Sequence, residues 1–119
     1  MFNYTMLDSD KCEFVEIAPV SELPNGGRLF VEIADRAIVI FNIADQLFAI
    51  GDVCTHDNGP LGDGDLEDHD IVCPRHGAKF DVRTGRAVQM PAVEDIPAYP
   101  VQVRGGTIFI GIPKEKNLK

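Results

Sequence analysis

The 119-residue sequence has no run of eighteen apolar residues, so no segment reads as a membrane-spanning helix. Its opening, Met1-Phe2-Asn3-Tyr4-Thr5, shows neither a basic n-region nor an apolar h-region, so no secretory signal is expected. Basic residues are few: 11 Lys and Arg stand against 19 Asp and Glu, a net charge of −8. Such a surface repels nucleic acid and anionic lipid and is steered towards basic partners. Cysteine is scarce and odd in number, at three. Cys12 stands alone in a polar stretch, and the other two sit beside histidines. That usage argues against a disulfide framework and for a reducing, cytoplasmic setting. Disorder is excluded too, since 45% of the residues are hydrophobic and 25% charged. The length suits one core and is too short for two, so a single domain over 1–119 is expected.

What is present is a series of short apolar runs broken by turns, the pattern of an all-β domain. Phe14–Ile17 reads as a first strand, and the segment 21–27, with Asn25-Gly26-Gly27, reads as a loop. Leu29–Ile33 alternates with period two. Ala37–Ile43 and Gln46–Ile50 form an expected hairpin around Ala44-Asp45. A further hairpin is expected from Phe80–Val82 to Arg86–Val88 across Thr84-Gly85, and a last one from Val101–Val103 to Thr107–Ile112 across Gly105-Gly106. The proline-bearing stretch 90–97 suits no central strand. The charged tail 114–119 is expected to fray. The expected architecture is a small antiparallel β-sandwich or barrel base, with the glycine- and acid-rich middle, about 51–81, as a subdomain at one end.

That middle carries the chemistry. Cys54-Thr55-His56 and Cys73-Pro74-Arg75-His76 are two mixed Cys–His pairs, each leading into a glycine-containing turn. Two thiolates and two imidazoles are a metal-ligand set. Neighbours as close as Cys54 and His56 chelate a single ion poorly, whereas a binuclear cluster lets each segment give its Cys to one iron and its His to the other. The rival ligand is structural zinc, but zinc sites group like ligands as C-x₂₋₄-C and H-x₃₋₅-H, and here each pair mixes the two.

At Cys54, His56, Cys73 and His76 the chain resembles the Rieske family, whose [2Fe–2S] centre has two histidines in place of two cysteines on one iron. The resemblance extends from Asp45–Ile50 through 73–81 and Thr84-Gly85, and covers about residues 13–112. It implies a sandwich-like base with a cluster-binding subdomain, Cys54 and Cys73 on an inner iron, and His56 and His76 on an outer, solvent-near one. It also implies a soluble ferredoxin that passes single electrons from a flavin-dependent reductase to a terminal oxygenase of an aromatic-ring dioxygenase system, without being catalytic itself. A small subunit of an NAD(P)H-dependent nitrite reductase is the alternative.

Departures from the family refine the expectation. High-potential members carry an extra cysteine in each loop, and Ser and Tyr hydroxyls near the cluster. This chain has Ala78 and Phe80 at the hydroxyl positions, which predicts a potential near the lower Rieske limit, roughly −150 mV. The acidic surroundings push the same way. Oxygenase catalytic subunits add a site of two histidines and a carboxylate. With His56 and His76 taken, only His69 remains, so no such site can be assembled. His69 itself, within Glu67-Asp68-His69-Asp70, reads as a solvated turn residue more readily than a proton relay. The acidic run 57–70 is either a docking face or simply a solvated loop. Arg75 either tunes the potential or is merely exposed, and Pro91 belongs either to a lid over the cluster or to a plain turn. The substrate of the oxygenase and the oligomeric state are not legible in the sequence.

Overall fold

The computed structural model describes residues 12–53, 59–74, 77–90 and 94–113. Eleven strands are described: β1 (Cys12–Pro19), β2 (Arg28–Ile33), β3 (Arg36–Ile43), β4 (Gln46–Gly51), β5 (Leu66–Glu67), β6 (Asp70–Val72), β7 (Lys79–Asp81), β8 (Ala87–Gln89), β9 (Ala98–Tyr99), β10 (Val101–Arg104) and β11 (Thr107–Pro113). A 3₁₀ turn at Val20–Glu22 follows β1.

All pairings are antiparallel, in three sheets ordered β2-β3-β4-β9, β1-β11-β10 and β5-β6-β7-β8. The expected hairpins form as read. The β3–β4 hairpin and the β2–β3 hairpin, which was not expected, turn on Ala-Asp pairs in the left-handed region, with φ of 54° and 67° at Ala44 and Asp45 and of 52° and 65° at Ala34 and Asp35. Positive φ at both central residues matches the right-handed twist of the flanking strands.

The apolar run of β3 follows from its place in the middle layer. Successive side chains of a strand face opposite sides. Ile38 and Ile40 enter a core with Ala49, Tyr99, Ile108, Ile110 and Ile112, between the first and second sheets. Val39 and Phe41 enter a second core with Ile50, Ile71, Phe80 and Ala98, shared with the third sheet. β3 is therefore buried on both faces from Ile38 to Asn42, with Asn42 the polar residue in that stretch. The third sheet reaches this layer through Leu61, Ile71, Cys73, Ala78, Phe80 and Val82, each at most 1% exposed.

Candidate metal centre

The second Cys–His segment begins where β6 ends. Cys73 N–H donates to the Ala78 carbonyl (2.7 Å), and Gly77 N–H donates to the Cys73 carbonyl (3.0 Å). These two bonds close a tight turn that returns the chain into β7. Gly77 has φ of 78°, a conformation that a side chain would strain. Gln89, at the end of β8, donates its Nε2 to the Gly77 carbonyl at 3.1 Å and holds the exit of the turn from the other side. Cys73 is 1% exposed and lies in an apolar surrounding that includes Leu61, Ile71, Ala78 and Phe80. Both positions at which high-potential members carry hydroxyls are thus buried hydrocarbon.

The first Cys–His segment lies between two fixed flanks. On the near side, Gly51 N–H bonds the Pro97 carbonyl (3.0 Å) and Asp52 N–H bonds the Ala37 carbonyl (2.8 Å). On the far side, the Asp52 carboxylate accepts from the N–H groups of Leu61 (2.9 Å) and Gly62 (2.6 Å). Arg28 donates to the carbonyls of Gly62 and, at 2.7 Å, Gly64. Val72 N–H then bonds the Asp65 carbonyl at 2.9 Å. The loop that follows the first segment is therefore tied to the residue just before Cys73, and the flanks of the two segments meet.

Of the four candidate ligands, the described residues include only Cys73; Cys54, His56 and His76 lie outside them, as do Arg75, Pro91 and the tail 114–119. Among the described residues no group of three or more His, Cys, Asp or Glu is placed to hold a metal ion. Cys73 is thus buried and held by backbone bonds at the mouth of a glycine turn.

The other singled-out residues are now placed. His69 is half-buried, with its ring edge-on to Phe48 at 5.8 Å and 88°, so it joins the β5–β6 turn to β4 rather than standing free in solvent. Cys12 is buried at the start of β1. In the acidic run, Asp63, Asp65, Glu67 and Asp68 are exposed. Glu67 is paired with Lys79 at 2.8 Å, and its hydrogen bond and charge hold the ammonium above its ordinary pKa. At the β7–β8 turn burial pushes the Asp81 carboxyl up, but hydrogen bonds from the Arg83 side chain and backbone, with that residue's charge, outweigh it and hold the group below the usual carboxylate range. Sequence reasoning missed Arg28, Asp52 and Gln89 as partners of the site. Nothing local marks them, since Arg28 reaches carbonyls 34 and 36 positions away.

The model of the Rieske [2Fe-2S] domain matches residues 13–100. The 3-phenylpropionate/cinnamic acid dioxygenase ferredoxin subunit of Escherichia coli K12 is 40% identical over 97 residues, covering 81% of this chain and 91% of the relative. The ferredoxin of carbazole 1,9a-dioxygenase from Nocardioides aromaticivorans IC177 superposes with a TM-score of 0.78 at 30% identity, covering 85% of this chain and 98% of that one. A chain from a complex of reduced oxygenase and oxidized ferredoxin in carbazole 1,9a-dioxygenase matches with a TM-score of 0.78 at 26% identity, covering 86% and 95%.

The chain belongs to the Rieske [2Fe–2S] domain family, and membership implies one Rieske-type [2Fe–2S] cluster as its cofactor. Its curated relatives are named as ferredoxin subunits, the electron-carrying rather than catalytic members of dioxygenase systems, and the nitrite-reductase alternative is not favoured. In one such system the ferredoxin is seen with its oxygenase. Among the described residues no helix is long and apolar enough to cross a membrane.

Proposed function

We propose that this chain is the ferredoxin of a ring-hydroxylating dioxygenase system. It takes single electrons from a flavin-dependent reductase and delivers them to a terminal oxygenase in the cytoplasm. Cys54 and Cys73 hold one iron of the cluster as thiolates, and His56 and His76 hold the other as neutral imidazoles. The chain works as a single Rieske domain over 1–119, with the cluster-binding subdomain at about 51–81. The bound cluster supplies a one-electron redox couple, and the protein sets its potential, its solvent access and its docking. A cytoplasmic setting agrees with the odd cysteine count.

The observation that carries this reading is the position of Cys73, buried and fixed by backbone bonds where the flanks of both Cys–His segments converge. The apolar Ala78 and Phe80 offer no hydroxyl to a cluster sulfur or ligand. Hydrogen bonds of that kind stabilise the reduced, more negative state, so their lack favours a low potential. The net charge of −8 opposes an added electron as well and favours a partner with a basic docking face.

An EPR-monitored redox titration of the purified holoprotein tests the reading. A Rieske signal titrating near roughly −150 mV is expected, and a clearly positive midpoint would sink the low-potential assignment. His56→Ala and His76→Ala should each abolish that signal. A variant that kept it would show the ligand assignment to be wrong.

A further inference from the structure

We propose that Asp52 and Arg28 are positioning residues for the cofactor: together they clamp the Gly62 peptide and so fix the loop that carries Cys54 and His56. The inference rests on the ligand assignment made above.

Gly62 is held from both sides. Its N–H donates to the Asp52 carboxylate, and its carbonyl accepts from the Arg28 guanidinium. Both partners are half-buried and charged, which makes these bonds shorter and stronger than neutral ones. The guanidinium is itself seated over the Phe41 ring, 5.2 Å from its centroid. The clamped position is tight: a Cβ there would lie 2.6 Å from Phe30 Cε2 and 3.1 Å from Val39, so the Phe30 ring would have to swing aside. Leu61 and Gly62 are buried, so without Asp52 two backbone N–H groups would lose their partner away from water.

The clamp bears on the cofactor because of what it encloses. Asp52 and Leu61 are the near and far ends of the stretch that contains Cys54 and His56. Arg28 also holds Gly64, whose neighbour Asp65 is bonded to Val72, the residue before Cys73. One connected set of bonds therefore links the flanks of the two segments. Groups hydrogen-bonded to metal ligands commonly matter about 10- to 100-fold in metal affinity or activity, and Asp52 and Arg28 act one step further out, on the loop backbone.

The test uses the purified holoprotein and its Asp52→Ala, Asp52→Asn and Arg28→Gln variants. The readouts are cluster release to an iron(II) chelator under reducing conditions, EPR line shape, and unfolding followed by circular dichroism. Asp52→Ala should release its cluster on the order of tenfold faster, with a changed line shape. Asp52→Asn keeps an acceptor oxygen and should lie nearer to wild type. Arg28→Gln should also accelerate release, and the Asp52→Asn/Arg28→Gln pair should fall short of the product of the single effects, because both act on Gly62. Wild-type release and line shape in Asp52→Ala and Arg28→Gln would overturn the clamp. So would faster release that merely tracks global unfolding. If Asp52→Ala does not fold, Asp52→Asn and Arg28→Gln decide by the same criteria. Cys54→Ala separates the two readings: if it kept the Rieske signal, the ligand assignment would fail and the clamp with it. If it lost the signal while the clamp variants released normally, only the clamp would fail.

Discussion

Strand β3 spans eight residues and pairs along most of its length with both β2 and β4, whereas the strands of the third sheet span two or three residues each. The base is held by long ladders and by burial on both faces of β3. Ladders that short are marginal alone. The third sheet relies on its share of the second core and on side chains that bond backbone outside the ladders: Arg28 and Asp52 to the 61–64 loop, Gln89 to Gly77, and Asp95 to the Ala87 N–H at 2.8 Å. The lesson is a division of labour. The base tolerates local imperfection, while the third sheet depends on single contacts around the ligand-bearing turns.

The sharpest break in that comparison is Gly64→Ala. A Cβ at Gly64 would sit 1.8 Å from the Val72 carbonyl oxygen, a backbone atom that cannot move without displacing β6. The expected cost is about 3 kcal/mol or more, with loss of bound cluster. Urea unfolding and iron content check it, and a wild-type midpoint with full iron would refute the dependence on this contact. Next come two core truncations, Ile110→Ala in the base and Phe80→Ala in the third sheet, both at sites that are fully buried. Each should cost about 2–5 kcal/mol. Only Phe80→Ala, which thins the surrounding of Cys73, should also change the visible and EPR spectra. Matching spectral changes in both variants would erase the distinction between the two regions.

The same division explains what the sequence revealed. The long hairpins were legible because turn residues and β-branched runs are local signals, and Gly105 and Gly106, at φ of 55° and 80°, sit where a turn was read. The β2–β3 turn at Ala34-Asp35 carries no glycine and went unread, as did β9. The β5–β6 hairpin was equally silent: it is two or three residues long and turns at Asp68, with φ of 57°, on a stretch that reads as acid-rich loop. At the site, the four candidate ligands were visible as types and spacings, and Cys73 lies in the turn its neighbours implied. The clamp was not visible, because no rule of spacing links Arg28 to Gly64. His69 does lie in a turn, as read, but its edge contact with Phe48 was not visible because that residue lies on another sheet.

A smaller effect tests the tolerance of the base. Ala44 and Asp45 are exposed and hold positive φ, a conformation that Ala resists and that Asp tolerates less well than Gly. Ala44→Asn with Asp45→Gly supplies the preferred pair for such a turn and should stabilise the protein by about 1 kcal/mol. The urea midpoint should rise and the EPR spectrum should stay unchanged. A spectral change would mean that the base and the ligand-bearing turns are coupled more tightly than their separate bonding suggests.

The smallest effect concerns pH and belongs to the third sheet. Asp81 accepts from Arg83 through both carboxylate oxygens, at 3.0 and 2.9 Å, and its pKa lies below the ordinary value in the folded protein. The folded state therefore binds fewer protons than the unfolded one in the acid range, so stability falls as pH falls. The contribution is complete above the unfolded carboxylate pKa, about 4, and is lost as pH drops through the lowered folded value. Asp81→Asn removes the titration. The variant should be slightly less stable at pH 7 and should converge on wild type at low pH, giving a shallower slope of stability against pH below about 4. Urea unfolding across that range measures the slope. Parallel curves would show that the Arg83 contact, for all its geometry, leaves the β7–β8 turn no more stable with the carboxylate charged than without it.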